Sequence, residues 1–179
     1  MAVEWTDPIT WVVSNKVTAA QMNANVRDNL LYLFDSPRCA VRLTADQAVA
    51  NATDHTVSWG EAVWDSHGDM WDAGAPSVVT ITRDGVYSIH LSTLWADTAS
   101  GGQRAAYLQV NGTRRRGFYS VSADGVNPVE MSTSVETNLA DGDSIDVDVR
   151  QLSGAALNLV ATRTVMTVRW VAAPPTVGE

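Results

Sequence analysis

Asp84-Gly85-Val86-Tyr87-Ser88-Ile89-His90-Leu91-Ser92-Thr93-Leu94-Trp95 begins with a turn pair and then alternates. Tyr87, Ile89 and Leu91 fall on one side, and Ser88, His90 and Ser92 on the other. Successive side chains of a β-strand point to opposite faces, so this is a strand with one face buried and one in water. The same period governs Val129, Met131, Thr133, Val135, Thr137 and Leu139 against Glu130, Ser132, Ser134, Glu136 and Asn138. It governs Ile145, Val147 and Val149 against Asp146, Asp148 and Arg150 as well. Asp84-Gly85, Asn111-Gly112, Asp124-Gly125 and Asp141-Gly142 supply residues that tolerate positive φ at the breaks. Short alternating strands divided by such turns predict an all-β sandwich or jelly roll.

The chain has 179 residues, one cysteine and a net charge of −8. That length suits one domain plus an appendage. With Cys39 alone, no intrachain disulfide forms and packing must hold the fold. The acidic balance argues against nucleic acid as partner, because phosphate binding needs clustered cations. The single basic cluster, Arg114-Arg115-Arg116, follows the Asn111-Gly112 turn and reads as a solvated strand start. No run approaches the roughly twenty apolar residues that span a bilayer, so no membrane is expected as a partner. No basic leader followed by an apolar stretch opens this sequence, so ordinary secretion is not expected.

Residues 1–37 read as an arm followed by a helix, 38–173 as the β domain and 174–179 as a loose tail. Thr18 with Gln21 fits a capping box, and Met22, Val26, Leu30 and Leu33 recur at the spacing of one helical face. Asp35-Ser36-Pro37 ends that helix. A helix of this length is marginal alone in water, so its stripe must lie against something. Trp5 and Trp11 sit where there is little local core. These two and the stripe Met22, Val26, Leu30 and Leu33 are the candidate anchoring residues. Near the C-terminus, Val165, Met166, Val168, Trp170 and Val171 put apolar groups on both faces of one strand, and Leu94 beside Trp95 does the same. A strand apolar on both sides of a two-layer sandwich needs an outer cover. Trp95, Val165, Met166, Val168 and Trp170 are therefore the candidate oligomer interface.

Candidate chemistry is sparse. His90 lies on the polar face of its strand, and His55 has no serine in a nucleophile-elbow context, so no hydrolase triad is supported. Asp65, His67 and Asp69 would share one face of an extended segment and could hold a divalent ion. Gly68 and the flanking Trp64 and Trp71 fit a turn instead, and that reading takes precedence. No cofactor and no enzymatic activity are expected.

Residues from about 40 to 172 resemble the jelly-roll domain shared by the complement globular head and tumour necrosis factor ligands, in the version found in virion proteins of tailed bacteriophages. The resemblance rests on Trp64-Asp65, Met70-Trp71-Asp72, Thr82 to Ile89, Arg104 to Val110 before Asn111-Gly112, Leu139 to Ile145, and Val165 to Val171. Trp71 and Trp170 stand where the family usually has Phe or Tyr. Trp11, Val17-Thr18-Ala19 and the run Met22 to Leu30 look like the opening of minor tail or fibre proteins in phages of actinobacteria. The resemblance implies a homotrimer made in the host cytoplasm and located in the virion, joined through its N-terminus to other tail or capsid proteins. A minor tail or fibre protein touching the host surface, with a cell-surface glycan as one possible partner, is the first expectation. A capsid decoration protein or head fibre is the second, and a carbohydrate-binding module the third.

Overall fold

The computed structural model describes residues 6–66, 68–96, 101–118 and 128–174. The chain divides into two compact units, Met1–Ser36 and Pro37–Glu179. In the first, a helix starts at α1 (Ala19–Met22), widens into a π-helical stretch (Asn23–Asp28) and finishes as α2 (Asn29–Phe34). Its N-terminus is a true capping box: Thr18 Oγ1 accepts from the Gln21 amide at 3.2 Å, and the Thr18 amide donates to Gln21 Oε1 at 2.9 Å. The arm is stitched to the helix by asparagine amides acting as surrogate backbone. Asn29 Oδ1 accepts from the Thr6 amide (2.9 Å), Asn29 Nδ2 donates to the Thr6 carbonyl (2.8 Å), and Asn25 Oδ1 accepts from the Ile9 amide (3.1 Å).

The second unit is a two-sheet antiparallel jelly roll. Its strands are β1 (Arg38–Arg42), β2 (Gln47–Val49), β3 (His55–Thr56), β4 (Glu61–Asp65), β5 (Val79–Thr80), β6 (Gly85–Trp95), β7 (Arg104–Val110), β8 (Thr113–Phe118), β9 (Val129–Leu139), β10 (Ser144–Gln151), β11 (Leu157–Leu159) and β12 (Val165–Ala172). One sheet runs β2-β11-β6-β12-β1-β4, with β9 also paired to β6; the other runs β3-β10-β7-β8, with β5 on β10. Between them lie Trp59, Tyr87, Ile89, Leu91, Trp95, Leu108, Ile145, Val147, Met166 and Val168, all at most 3 % exposed. Trp71 is only half-buried, its Nε1 donating to the Pro76 carbonyl at 3.2 Å.

The turns follow their chemistry. Asn111 (φ 52°) and Gly112 (φ 68°) form the two-residue link of β7 to β8, the geometry that matches strand twist. The Asn111 side chain then ties that hairpin to the β9–β10 turn. Its Nδ2 donates to Asp143 Oδ1 at 2.7 Å, and its Oδ1 accepts from the Ser144 amide at 2.9 Å. The Asp124-Gly125 turn lies outside the described residues. Gly85 has a different reason to be glycine. A Cβ there would overlap the Trp170 indole and the Ala172 carbonyl, and Trp170 Nε1 donates to the carbonyl of Asp84 at 3.1 Å. Gly85→Ala is expected to cost about 2–3 kcal/mol, the range of overpacked core sites, read as a lowered urea midpoint with unchanged slope.

Candidate functional site

The outward face of the seven-stranded sheet is the surface on which the sequence candidates converge or fail. Strand registers place Trp64, Ala40, Thr167, His90 and Ser134 in one row across β4, β1, β12, β6 and β9. Arg38, Arg169, Ser88 and Glu136 form the next. The centre is built of short side chains, and the rim carries charge of both signs. His90 bridges β6 and β9, its Nδ1 3.2 Å from Ser134 Oγ and its Nε2 3.4 Å from Ser132 Oγ. Both ring nitrogens face hydroxyls, so no carboxylate orients the imidazole as a catalytic base requires.

At the β4 end of this face lies a groove of about 470 Å³, lined by Arg38, Trp64, Asp65, Ser66, Thr167 and Arg169. A bulge creates it. Ala40 pairs with Trp64 and Val41 with Ala62, so Val63 is an extra residue, and Val63 and Trp64 are left 50 % and 42 % exposed. Arg38 and Arg169 are direct cross-strand neighbours, and neither makes an ion pair among the described residues. Two cationic residues thus line the groove together with the exposed Trp64. Nothing local in the sequence announces these arginines; they are 131 positions apart and meet only through strand pairing.

Of the metal candidates, Asp65 and Asp69 are among the described residues. Asp65 organises its own loop, Oδ1 accepting from the Gly68 amide at 3.0 Å and Oδ2 from the amides of Met70 (2.9 Å) and Trp71 (3.0 Å). His67 lies outside the described residues, as does the anchoring candidate Trp5. Asp69 is exposed, and no cluster of metal-ligating side chains occurs among the described residues. Across the β1–β4 pairing, Asp65 sits opposite Cys39, whose thiol is 1 % exposed. Burial, with a smaller contribution from the Asp65 charge, pushes that thiol up to about 12.

The interface expectation needs correction. Trp95, Met166 and Val168 are 0 % exposed in a single chain and Trp170 is 7 %, so these side chains fill the sandwich. Only Val165 of that set faces outward, beside Ser92 and Arg42. The outward side of β12 reads Val165, Thr167, Arg169, Val171, a mixed surface. In the first unit, Trp11, Met22, Val26, Leu30 and Leu33 are 48, 46, 39, 49 and 53 % exposed.

On the opposite sheet, Arg114 lies 4.2 Å above the Tyr107 ring and pairs with Asp54 (2.6 Å) and Asp148 (3.1 Å). The Arg114 hydrogen bond holds the Asp54 carboxyl below its ordinary value. Asp146, two residues before Asp148 on the same face, is pushed up by burial and then by the Asp148 charge.

No protein-family profile and no characterised protein sequence matches this chain. Solved structures do. The tumour necrosis factor Eiger from S. frugiperda aligns with 80 % of this chain and 96 % of its own at 15 % identity and TM-score 0.55. The globular domain of zebrafish complement 1qA aligns with 76 % of this chain and 98 % of its own at 12 % identity and TM-score 0.55. Murine APRIL at pH 5.0 covers 76 % and 99 % at 17 % identity and TM-score 0.56. The fold is therefore a jelly roll of the tumour necrosis factor and complement-head type.

The two perturbed carboxylates have opposite pH signatures. Asp54 contributes stability that is present above the unfolded carboxylate value, about 4, and is lost as pH falls through its lower folded value. Asp54→Asn should therefore destabilise at pH 7 and flatten the acid limb. Asp146 binds its proton more tightly when folded, so its ionised form costs stability. Asp146→Asn should raise the pH 7 thermal midpoint, with the gain fading below about pH 4. Thermal melts from pH 3 to 8 check both.

Proposed function

We propose that this chain is a non-enzymatic virion structural protein of a tailed bacteriophage, a trimeric jelly roll joined to the particle through its N-terminal unit. The observation that carries this reading is the apolar stripe Met22, Val26, Leu30 and Leu33, which stands 39–53 % exposed. Soluble proteins rarely leave such a stripe open unless a partner covers it. The likeness of residues 11–30 to the opening of phage tail and fibre proteins supports a virion protein as that partner, with a minor tail or fibre location as the first reading. The short anchoring unit ahead of one compact head also favours a second location, a decoration protein or head fibre on the capsid.

Trimerisation draws support from the outward face of the seven-stranded sheet. Short side chains at Ala40, Ser88, Ser92 and Thr167 let another subunit approach closely, and the Arg38–Arg169 pair is complementary to the outward carboxylate Glu136 at the β9 edge. A head-to-tail ring satisfies both, each subunit offering its β9 edge to the next. A closed trimer presents three copies of any host-contacting surface and multiplies avidity without strengthening a single contact.

Light scattering should give about three times the 19.2 kDa chain mass, and Glu136→Arg should shift the protein to monomer at micromolar concentration. A monomeric wild type at every concentration refutes the ring. Leu30→Asp with Leu33→Asp should leave a folded protein that no longer co-purifies with phage particles; undiminished incorporation refutes the anchor.

A further inference from the structure

Asn111-Gly112 is the only Asn-Gly pair in the chain, and both residues are exposed in the β7–β8 link. A side chain begun at Gly112 would meet nothing within 4 Å beyond its chain neighbours, so this peptide is open to solvent. Glycine leaves its own amide nitrogen unshielded, and after asparagine that nitrogen is placed to attack the carboxamide. The Gly112 nitrogen gives up its proton and bonds to Asn111 Cγ, the Cγ–Nδ2 bond breaks, and ammonia leaves with the proton. Water then opens the cyclic imide at either carbonyl, giving aspartate or isoaspartate. The reaction needs only water.

In the folded chain the carboxamide is tied down. Nδ2, the leaving nitrogen, donates to Asp143 Oδ1 at 2.7 Å, and Oδ1 accepts from the Ser144 amide at 2.9 Å and its hydroxyl at 3.3 Å. The Asn111 amide donates to the Ser144 carbonyl at 2.9 Å, which holds the backbone as well. Ring closure turns Cγ onto the Gly112 nitrogen, so these side-chain contacts must break first. The product cannot restore them. An ionised carboxylate only accepts, so one oxygen keeps the Ser144 amide while the other faces Asp143 with no hydrogen between them. Isoaspartate also lengthens a two-residue link whose geometry is matched to the strand twist. We propose that Asn111 is a deamidation site guarded by Asp143 and Ser144: conversion waits on opening of this clamp and then keeps the clamp from closing again.

The test follows residue 111 by peptide mass mapping of the full-length protein in mildly alkaline buffer, folded and unfolded in urea. A hydrogen bond to a charged group shifts an equilibrium about tenfold or more, so the folded chain should convert at least about tenfold more slowly than the unfolded one. Asp143→Ala should raise the folded rate by about tenfold on the same reasoning. Asn111→Asp, the product introduced directly, should lower the thermal midpoint at neutral pH. That loss should shrink below about pH 4, where one of the paired carboxylates takes up a proton and donates again. If Asp143→Ala does not fold, the comparison of folded with unfolded wild type decides alone. Equal rates in the two states, a folded Asp143→Ala that converts no faster, or an Asn111→Asp variant as stable as wild type at neutral pH overturns the proposal.

Discussion

An eleven-residue strand that alternates at every position admits one register, and the sandwich is assembled around it. Strand β6 sends Tyr87, Ile89, Leu91, Thr93 and Trp95 inward and Val86, Ser88, His90, Ser92 and Leu94 outward. A slip of one residue would exchange the two sets, putting an imidazole and two serine hydroxyls into the core. Because β6 pairs with β12 on one side and β9 on the other, its register is imposed on both neighbours. Through β12 it fixes β1, and through β1 the bulged β4 that opens the groove at Trp64.

How much of this was legible depended on how local each signal was. The alternation of β6, β9 and β10, the Asn111-Gly112 hairpin and the Thr18–Gln21 capping box are written within a few residues of themselves, and the jelly roll followed from them. The last strand misled because Val165-Met166 and Trp170-Val171 are adjacent apolar pairs, which read as two buried faces. Thr167 and Arg169 between them were the better guide, since they mark the outward side. Arg38 with Arg169 had no local signature at all. Asp65 did carry one: an aspartate three residues before a glycine is the spacing of a side chain that caps its own turn.

The first unit solves a different problem with similar means. A single extended arm has no sheet to satisfy its backbone, and Asn25 and Asn29 provide the missing donors and acceptors from the helix. Backbone groups of Thr6 and Ile9 are thus satisfied locally, while the apolar side chains of the helix stay exposed. The same division recurs in the head, where aromatic bulk turns inward and small or charged groups remain outside.

Cys39 lies 1 % exposed opposite Asp65, its proton held far more firmly than that of an ordinary thiol. Disulfide exchange and peroxide attack both proceed through the thiolate, which is scarcely populated here at any physiological pH. The redox poise of the surroundings therefore has little purchase on this position, and the core around β1 keeps its covalent chemistry under reducing and oxidising conditions alike.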